Sequence, residues 1–140
     1  RQISPEDAME ILQAEHERGH VHHAFFKDAM LNRFYAICNC CSCCCGAFQA
    51  QRNGSPMLMA SGYTALIDEG LCEGCGSCVD HCQFSAIEMI DGKALVIEED
   101  CYGCGVCVDL CPNNAIRLLR DPAKGTPLEI HKLMEQAQVS

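Results

Sequence analysis

Cys72, Cys75, Cys78 and Cys82 recur 29 positions later as Cys101, Cys104, Cys107 and Cys111. Thiolates are soft ligands that suit iron–sulfur clusters and zinc. Three of them at two-residue gaps on one turning loop can hold three irons of a single cube. The helix that follows the third cysteine carries the next one away, so a fourth ligand must come from elsewhere in the fold. Zinc sites show cysteine pairs separated by a longer gap, whereas here two unbroken triplets each trail a further cysteine. A denser group lies upstream, where Ile37-Cys38-Asn39-Cys40-Cys41-Ser42-Cys43-Cys44-Cys45-Gly46 packs six thiols into eight residues. Cys38, Cys41 and Cys44 repeat the three-ligand spacing, Cys40 and Cys43 form a pair in an offset frame, and Cys45 remains as a fourth or bridging ligand. These six are candidate ligands of at least one further metal centre; spacing fixes neither which sulfurs bind nor how many irons.

Cysteine supplies 14 of the 140 residues, a share that demands a covalent or metal-based account. A secreted disulfide scaffold is the alternative, but the runs Cys40-Cys41 and Cys43-Cys44-Cys45 leave little room for separate disulfide partners in good geometry. Reduced thiols given to metal imply a reducing compartment, the cytoplasm. The net charge of −9 argues against nucleic acid as a partner. No 18-residue apolar run is present, so no membrane span is expected. No charged-then-apolar leader opens the sequence, and Arg1 in place of Met leaves room for a preceding segment.

The elements that must position these thiols fall into three segments, residues 1–62, 63–120 and 121–140. In the first, Ser4-Pro5-Glu6-Asp7 supplies an N-cap, a proline at the first helical position and early acids. Ala8, Ile11 and Leu12 follow at helical spacing to a stop at Gly19. A second helix is predicted over Ala24–Ile37, with Phe25, Met30, Phe34 and Ile37 as its apolar stripe, and Met57 and Met59 are read as core. A short helix is predicted near Gly46–Arg52. In the second segment the 29-residue offset also maps Gly74 onto Gly103, Gly76 onto Gly105, and Ala86-Ile87 onto Ala115-Ile116, so one supersecondary unit is used twice. Each unit reads as strand, cysteine loop, short helix and strand, and Asp91-Gly92 marks a hairpin between Ala86–Ile90 and Lys93–Ile97. Val79, Ile87, Val108, Leu110 and Ile116 are placed to keep water from the metal, with Tyr63 and Tyr102 packed over it. A last helix is predicted over Pro127–Gln138.

The paired runs resemble those of two-cluster bacterial ferredoxins, in which the fourth cysteine of each run ligates the other cluster. The resemblance implies an α+β fold, a two-cluster bacterial ferredoxin-like domain built as a pseudo-twofold ββ/α repeat, preceded by a small helical, cysteine-rich segment. It assigns Cys72, Cys75, Cys78 and Cys111 to one 4Fe-4S cluster, and Cys101, Cys104, Cys107 and Cys82 to the other. Pro112 follows Cys111 as the pattern requires; Gln83 follows Cys82, which implies a more exposed or differently tuned cluster there. Over nearly the whole chain, Ser4–Arg18, Gly19-His20-Val21-His22-His23, the Cys38–Cys45 run and the paired runs resemble a family of anaerobe 4Fe-4S binding-domain proteins with a CNCCxCCCG motif. Members of that family carry further cysteines upstream, which implies that remaining ligands of the Cys38–Cys45 centre lie on an upstream segment or another subunit.

Between Leu66 and Leu119 stand ten acids against Lys93 and Arg117. That acidic surface suits a protein redox partner with a basic docking patch, and negative charge near a cluster lowers its potential. The leading reading is low-potential electron transfer through two 4Fe-4S clusters and an additional iron–sulfur centre, as an electron-transfer protein or oxidoreductase subunit rather than a stand-alone enzyme. In a second reading the Cys38–Cys45 centre is a catalytic or substrate-binding cluster fed by the ferredoxin half; in a third, weaker one, its labile thiols sense redox state or oxygen. His20, His22, His23 and His81 are candidate ligands or proton relays; His22 and His23 are read instead as surface or packing residues, and His81 as a tuning neighbour rather than a ligand.

Overall fold

The computed structural model describes residues 1–26, 34–129, 131–132 and 135–136, and shows a small α+β protein. Helix α1 (Pro5–Glu17) starts where the sequence placed it. Ser4 Oγ accepts the Asp7 N–H and Asp7 Oδ2 accepts the Ser4 N–H, both at 3.1 Å, while Pro5 fills the first turn. Arg18 caps the C-terminus, followed by Gly19 at φ +80°. No residue of α1 is fully buried; Leu12 and Ala14 are half-buried, and the His16 Nε2 to Asp109 Oδ2 distance is 2.6 Å.

The helix predicted over Ala24–Ile37 is not found on either flank. Val21–Phe26 is strand β1 and Phe34–Cys40 is strand β2, paired antiparallel with Ala24 opposite Ile37 and His23 opposite Cys38. Residues 27–33, Met30 among them, lie outside the described residues. The physical reason is composition: Val21, Phe25, Phe26, Phe34, Tyr35 and Ile37 are β-branched or aromatic and favour a pleated surface. Val21 and His23 alternate inward, as period two requires. The residues read as an apolar stripe and core are largely outside it: Ile37 is 54 % exposed, Phe25 38 %, Met57 54 % and Met59 95 %.

Helix α2 (Gly46–Arg52) follows the cysteine run and buries Phe48. The repeat region then runs β3 (Tyr63–Ile67), α3 (Ser77–His81), β4 (Ile87–Ile90), β5 (Lys93–Val96), α4 (Val106–Leu110) and β6 (Ile116–Arg120). β3 pairs antiparallel with β6, and β4 with β5 across Asp91-Gly92, both at positive φ as a tight hairpin turn needs. The two helices have five residues each, and each starts from a left-handed glycine, Gly76 or Gly105. Ser85 and Asn114, also 29 apart, share the same left-handed conformation.

Among the described residues, buried side chains gather in two groups. One gathers Ala65, Ala86, Ile87, Ala94, Ala115 and Ile116 around Cys78, Cys101 and Cys107. The other joins Val21 and Phe48 to Val106, which fastens the N-terminal segment to α4. Leu110 packs on this second group rather than over the thiols of the first. Beyond β6, Pro122–Lys124 forms a short 3-10 turn capped by Asp121. Of the helix predicted over Pro127–Gln138, residues 131–132 and 135–136 are helical, 127–129 are not, and 130, 133–134 and 137–138 lie outside the described residues.

Candidate metal centres

The eight repeat cysteines line two separate cavities. Cys72, Cys75 and Cys78 share one with Cys111, walled by Ile67, Ala94, Ala115 and Ile116. Cys101, Cys104 and Cys107 share the other with Cys82, walled by Ala65, Phe84, Ile87, Tyr102 and Leu118. Each cavity thus takes three thiols from one unit and the fourth from its twin. The crossing follows from α3 and α4, each of which carries the chain from its own loop to the far side.

Backbone N–H groups point at the sulfurs in matched positions. Ala86 N–H reaches Cys82 Sγ at 3.3 Å and Ala115 N–H reaches Cys111 Sγ at 3.4 Å. Ala65 N–H lies 3.5 Å from Cys101 Sγ. The N–H groups of Ala94 and Gly74, with the Lys93 ammonium nearby, hold the Cys72 thiol below its ordinary value. Burial pushes the thiols of Cys78, Cys104 and Cys107 up, Cys104 to about 11 and Cys107 to about 12, with neighbouring thiols opposing charge in the same direction. Cys104 is exposed as a residue while its thiol stands on the cavity wall, which reconciles its surface with its raised value.

Gly74 and Gly103 close the loops at positive φ, and a Cβ on either would run into a carbonyl oxygen, that of Gly92 or of Tyr63. Four soft donors per cavity, apolar walls, sulfur-directed N–H groups and two loop glycines, Gly74 and Gly103, with no space for a side chain fit a cubane cluster in each cavity.

The raised thiols make a pH prediction for the metal-free protein. A folded thiol titrating near 12 rather than at its ordinary 9 contributes stability that is present below pH 9 and lost as pH rises toward 12. Metal-free protein is therefore expected to lose on the order of 2 kcal/mol between pH 9 and 11, read by denaturant melts. Loaded protein, whose thiolates carry no proton, will lack that slope; equal slopes would show that these thiols are not buried as described.

The Cys38–Cys45 run divides differently from its spacing. Cys38 and Cys40 sit in β2, where period two puts them on one face, so Cys38, Cys41 and Cys44 do not form a loop triplet. Cys40 instead hydrogen-bonds with Cys45 and Cys38, and burial pushes its thiol up to about 12. For Cys45 burial works upward too, but the Phe48 N–H, the Cys40 thiol and the Ala47 N–H together hold it below its ordinary value. The other three, of which Cys43 and Cys44 are exposed and Cys41 half-buried, gather together: their Sγ atoms lie within 4.8 Å of one another. Cys41 and Cys43 are joined as a disulfide here, which metal binding by all six thiols requires to open.

His20, His22 and His81 hold polar contacts, while His23 Nδ1 is buried without a hydrogen-bond partner. His20 shares a hydrogen bond with Glu15 at 2.5 Å, His22 with Asn39 at 2.6 Å, and His81 Nδ1 with the Ser77 carbonyl at 2.9 Å. His23 is half-buried against Phe48, 5.3 Å between ring centroids. Tyr102 lines the second cavity as expected, whereas Tyr63 lies beneath the Arg120 guanidinium, 5.9 Å from its ring centroid. Gln83 ties the chain after Cys82 to the N-terminal segment: Gln83 Oε1 accepts the Ser42 N–H at 2.8 Å, and its Nε2 donates to the Gly19 carbonyl at 3.0 Å. The position where a more exposed or differently tuned cluster was expected is thus tied to the N-terminal segment, with Cys82 and Cys111 both half-buried. The break in the repeat at Gln83 was the available signal for that contact.

Residues 65–118, less than half of the chain, match the family of the 4Fe-4S dicluster domain. A 34-residue stretch is 46% identical to Ferredoxin-2 of Desulfomicrobium norvegicum, covering 24% of this chain and 58% of that protein's length. The repeat region is therefore a ferredoxin-type 4Fe-4S domain, and these likenesses support iron–sulfur electron transfer as its chemistry. Among the described residues, no helix is long and apolar enough to cross a membrane.

Proposed function

We propose that this chain carries electrons at low potential through two 4Fe-4S clusters in residues 63–120, with a further iron–sulfur centre in residues 1–62 and residues 121–140 as a tail. Cys72, Cys75, Cys78 and Cys111 hold one cluster, and Cys101, Cys104, Cys107 and Cys82 the other, in a pseudo-twofold arrangement. The observation that carries this reading is the division of eight thiols into two cavities of four, each completed by a cysteine of the twin unit. Each cluster would supply reversible one-electron storage. The protein's own part is to fix the thiols, direct N–H groups at them and exclude water with Ile67, Ile87 and Ile116. The acidic surface fits a redox partner with a basic patch, and the need for reduced thiols fits a cytoplasmic setting. The test is metal content: anaerobically purified protein is expected to hold roughly eight irons and eight acid-labile sulfides in the repeat region. Four or fewer irons in the whole chain, or zinc in their place, would defeat the reading.

A second reading is favoured by the trio of Cys41, Cys43 and Cys44. With the Cys41–Cys43 disulfide reduced, three thiols leave a metal with a coordination position for an added ligand, and so make room for substrate binding. Cyanide or carbon monoxide added to reduced protein will shift the spectrum of that centre if the position is open; an unchanged spectrum leaves electron transfer as its role.

A further inference from the structure

The two repeat units differ just after their fourth cysteines. After Cys111 the chain reads Pro112-Asn113, and after Cys82 it reads Gln83-Phe84. Both departures meet the N-terminal segment. Gln83 takes the Ser42 N–H, in the middle of the six-cysteine run, and holds the Gly19 carbonyl at the end of α1. Phe84 packs on Phe48 at 4.9 Å between centroids and stacks on Tyr102 at 4.4 Å. Phe48 in turn sits over Cys45, to whose sulfur its N–H points. Gln51, one turn further along α2, donates to the Tyr102 hydroxyl at 2.5 Å. Phe84 and Tyr102 both wall the cavity of Cys82, Cys101, Cys104 and Cys107, and neither borders the cavity of Cys72. On the twin unit Pro112 is exposed.

From this asymmetry we infer that Gln83 and Phe84 are docking residues which seat the six-cysteine loop on the Cys82–Cys101–Cys104–Cys107 site. That site is thereby the neighbour of the N-terminal centre, and the Cys72–Cys75–Cys78–Cys111 site is left facing outward. The inference rests on the two-cluster reading for what the cavities hold, but the docking itself is a contact between parts of the chain. Gln83 is a positioning residue: its amide donates to one partner and accepts from the other, a pair of bonds that proline cannot make. Phe84 supplies the apolar contact, which Asn113 in the twin position lacks.

The experiment uses anaerobically purified, loaded full chain, compared with Gln83→Ala and with Gln83→Pro combined with Phe84→Asn, which installs the twin unit's residues. Hydrogen exchange resolved to Ser42, and chelator extraction of iron, are followed side by side. In Gln83→Ala, Ser42 exchange is expected to rise about 10-fold, in keeping with the loss of one or two modest hydrogen bonds. In the double variant the whole 38–46 stretch will exchange faster, and iron extraction will split into two phases, with the irons of one cubane leaving several-fold sooner. Unchanged Ser42 exchange in both variants overturns the docking role, and uniform acceleration of all iron overturns the assignment of the neighbour. A low iron count in the unaltered protein bears on the two-cluster reading instead, since Ser42 exchange reports docking whatever the metal content.

Discussion

Cys111→Ala is expected to strip the cluster from the first unit's loop, and Cys82→Ala the cluster from the second. Each substitution acts on the cavity lined by the other repeat's triplet, because that is where its sulfur stands. Iron in the repeat region is expected to fall from roughly eight to about four in either variant. Mapping by thiol alkylation separates the two cases. In Cys111→Ala, Cys72, Cys75 and Cys78 become labelled while Cys101, Cys104 and Cys107 stay protected; in Cys82→Ala the pattern inverts. Labelling of the mutated residue's own triplet would mean that the fourth ligand does not cross. The effect is large because the crossing also ties the two units together. Much of the buried apolar group around the thiols is alanine, with Ile87 and Ile116 as its largest aliphatic side chains. So small a core stabilises a domain poorly without a metal or a covalent tie.

Gly103→Ala is expected to cost about 3 kcal/mol or to prevent folding, and Gly76→Ala only about 1 kcal/mol. Both residues have a left-handed backbone, φ +64° and +78°, so both substitutions carry the strain of an L side chain there. The difference lies in space. At Gly76 an added Cβ meets nothing within 4 Å, while at Gly103 it runs into the Tyr63 carbonyl and lies 2.5 Å from Ser61 Oγ. The Tyr63 carbonyl is backbone of β3 and cannot step aside without moving the β3–β6 pair. Gly74→Ala is expected to follow Gly103→Ala, since its Cβ would strike the Gly92 carbonyl at the hairpin turn. Anaerobic denaturant melts of the loaded proteins measure the difference. Equal losses at positions 76 and 103 would remove the close approach from the account and leave backbone strain alone.

What could be read from the sequence depended on how far apart the deciding residues lie. The repeated unit was legible because eight cysteines recur at one offset and because Asp91-Gly92 marks the hairpin between units. The cap of α1 was legible because Ser4, Pro5 and Asp7 act within one turn. Strands β1 and β2 were misread because Phe25, Phe34 and Ile37 can be fitted to a helical stripe as easily as to a pleat. What decides between them is the pairing of His23 with Cys38 across the ladder, a contact between segments. The same limit applied to the six-cysteine run: its spacing resembles a ligand loop, but it begins as strand, so Cys40 turns to Cys38 and Cys45 while Cys38 stays apart from the Cys41, Cys43 and Cys44 group. Gln83 stood out only as a missing proline, since its partner Ser42 is 41 residues away.

The ladder of β3 with β6 sets Tyr63 opposite Arg120. The points where the chain enters and leaves the cluster-bearing unit are thus side by side on one edge. A unit with adjacent ends behaves as a cassette: it can be spliced into a host loop or circularly permuted without stretching its scaffold. The same adjacency means that whatever precedes residue 63 and follows residue 120 is delivered to a common flank. Appended modules would therefore congregate there and leave the opposite rim clear.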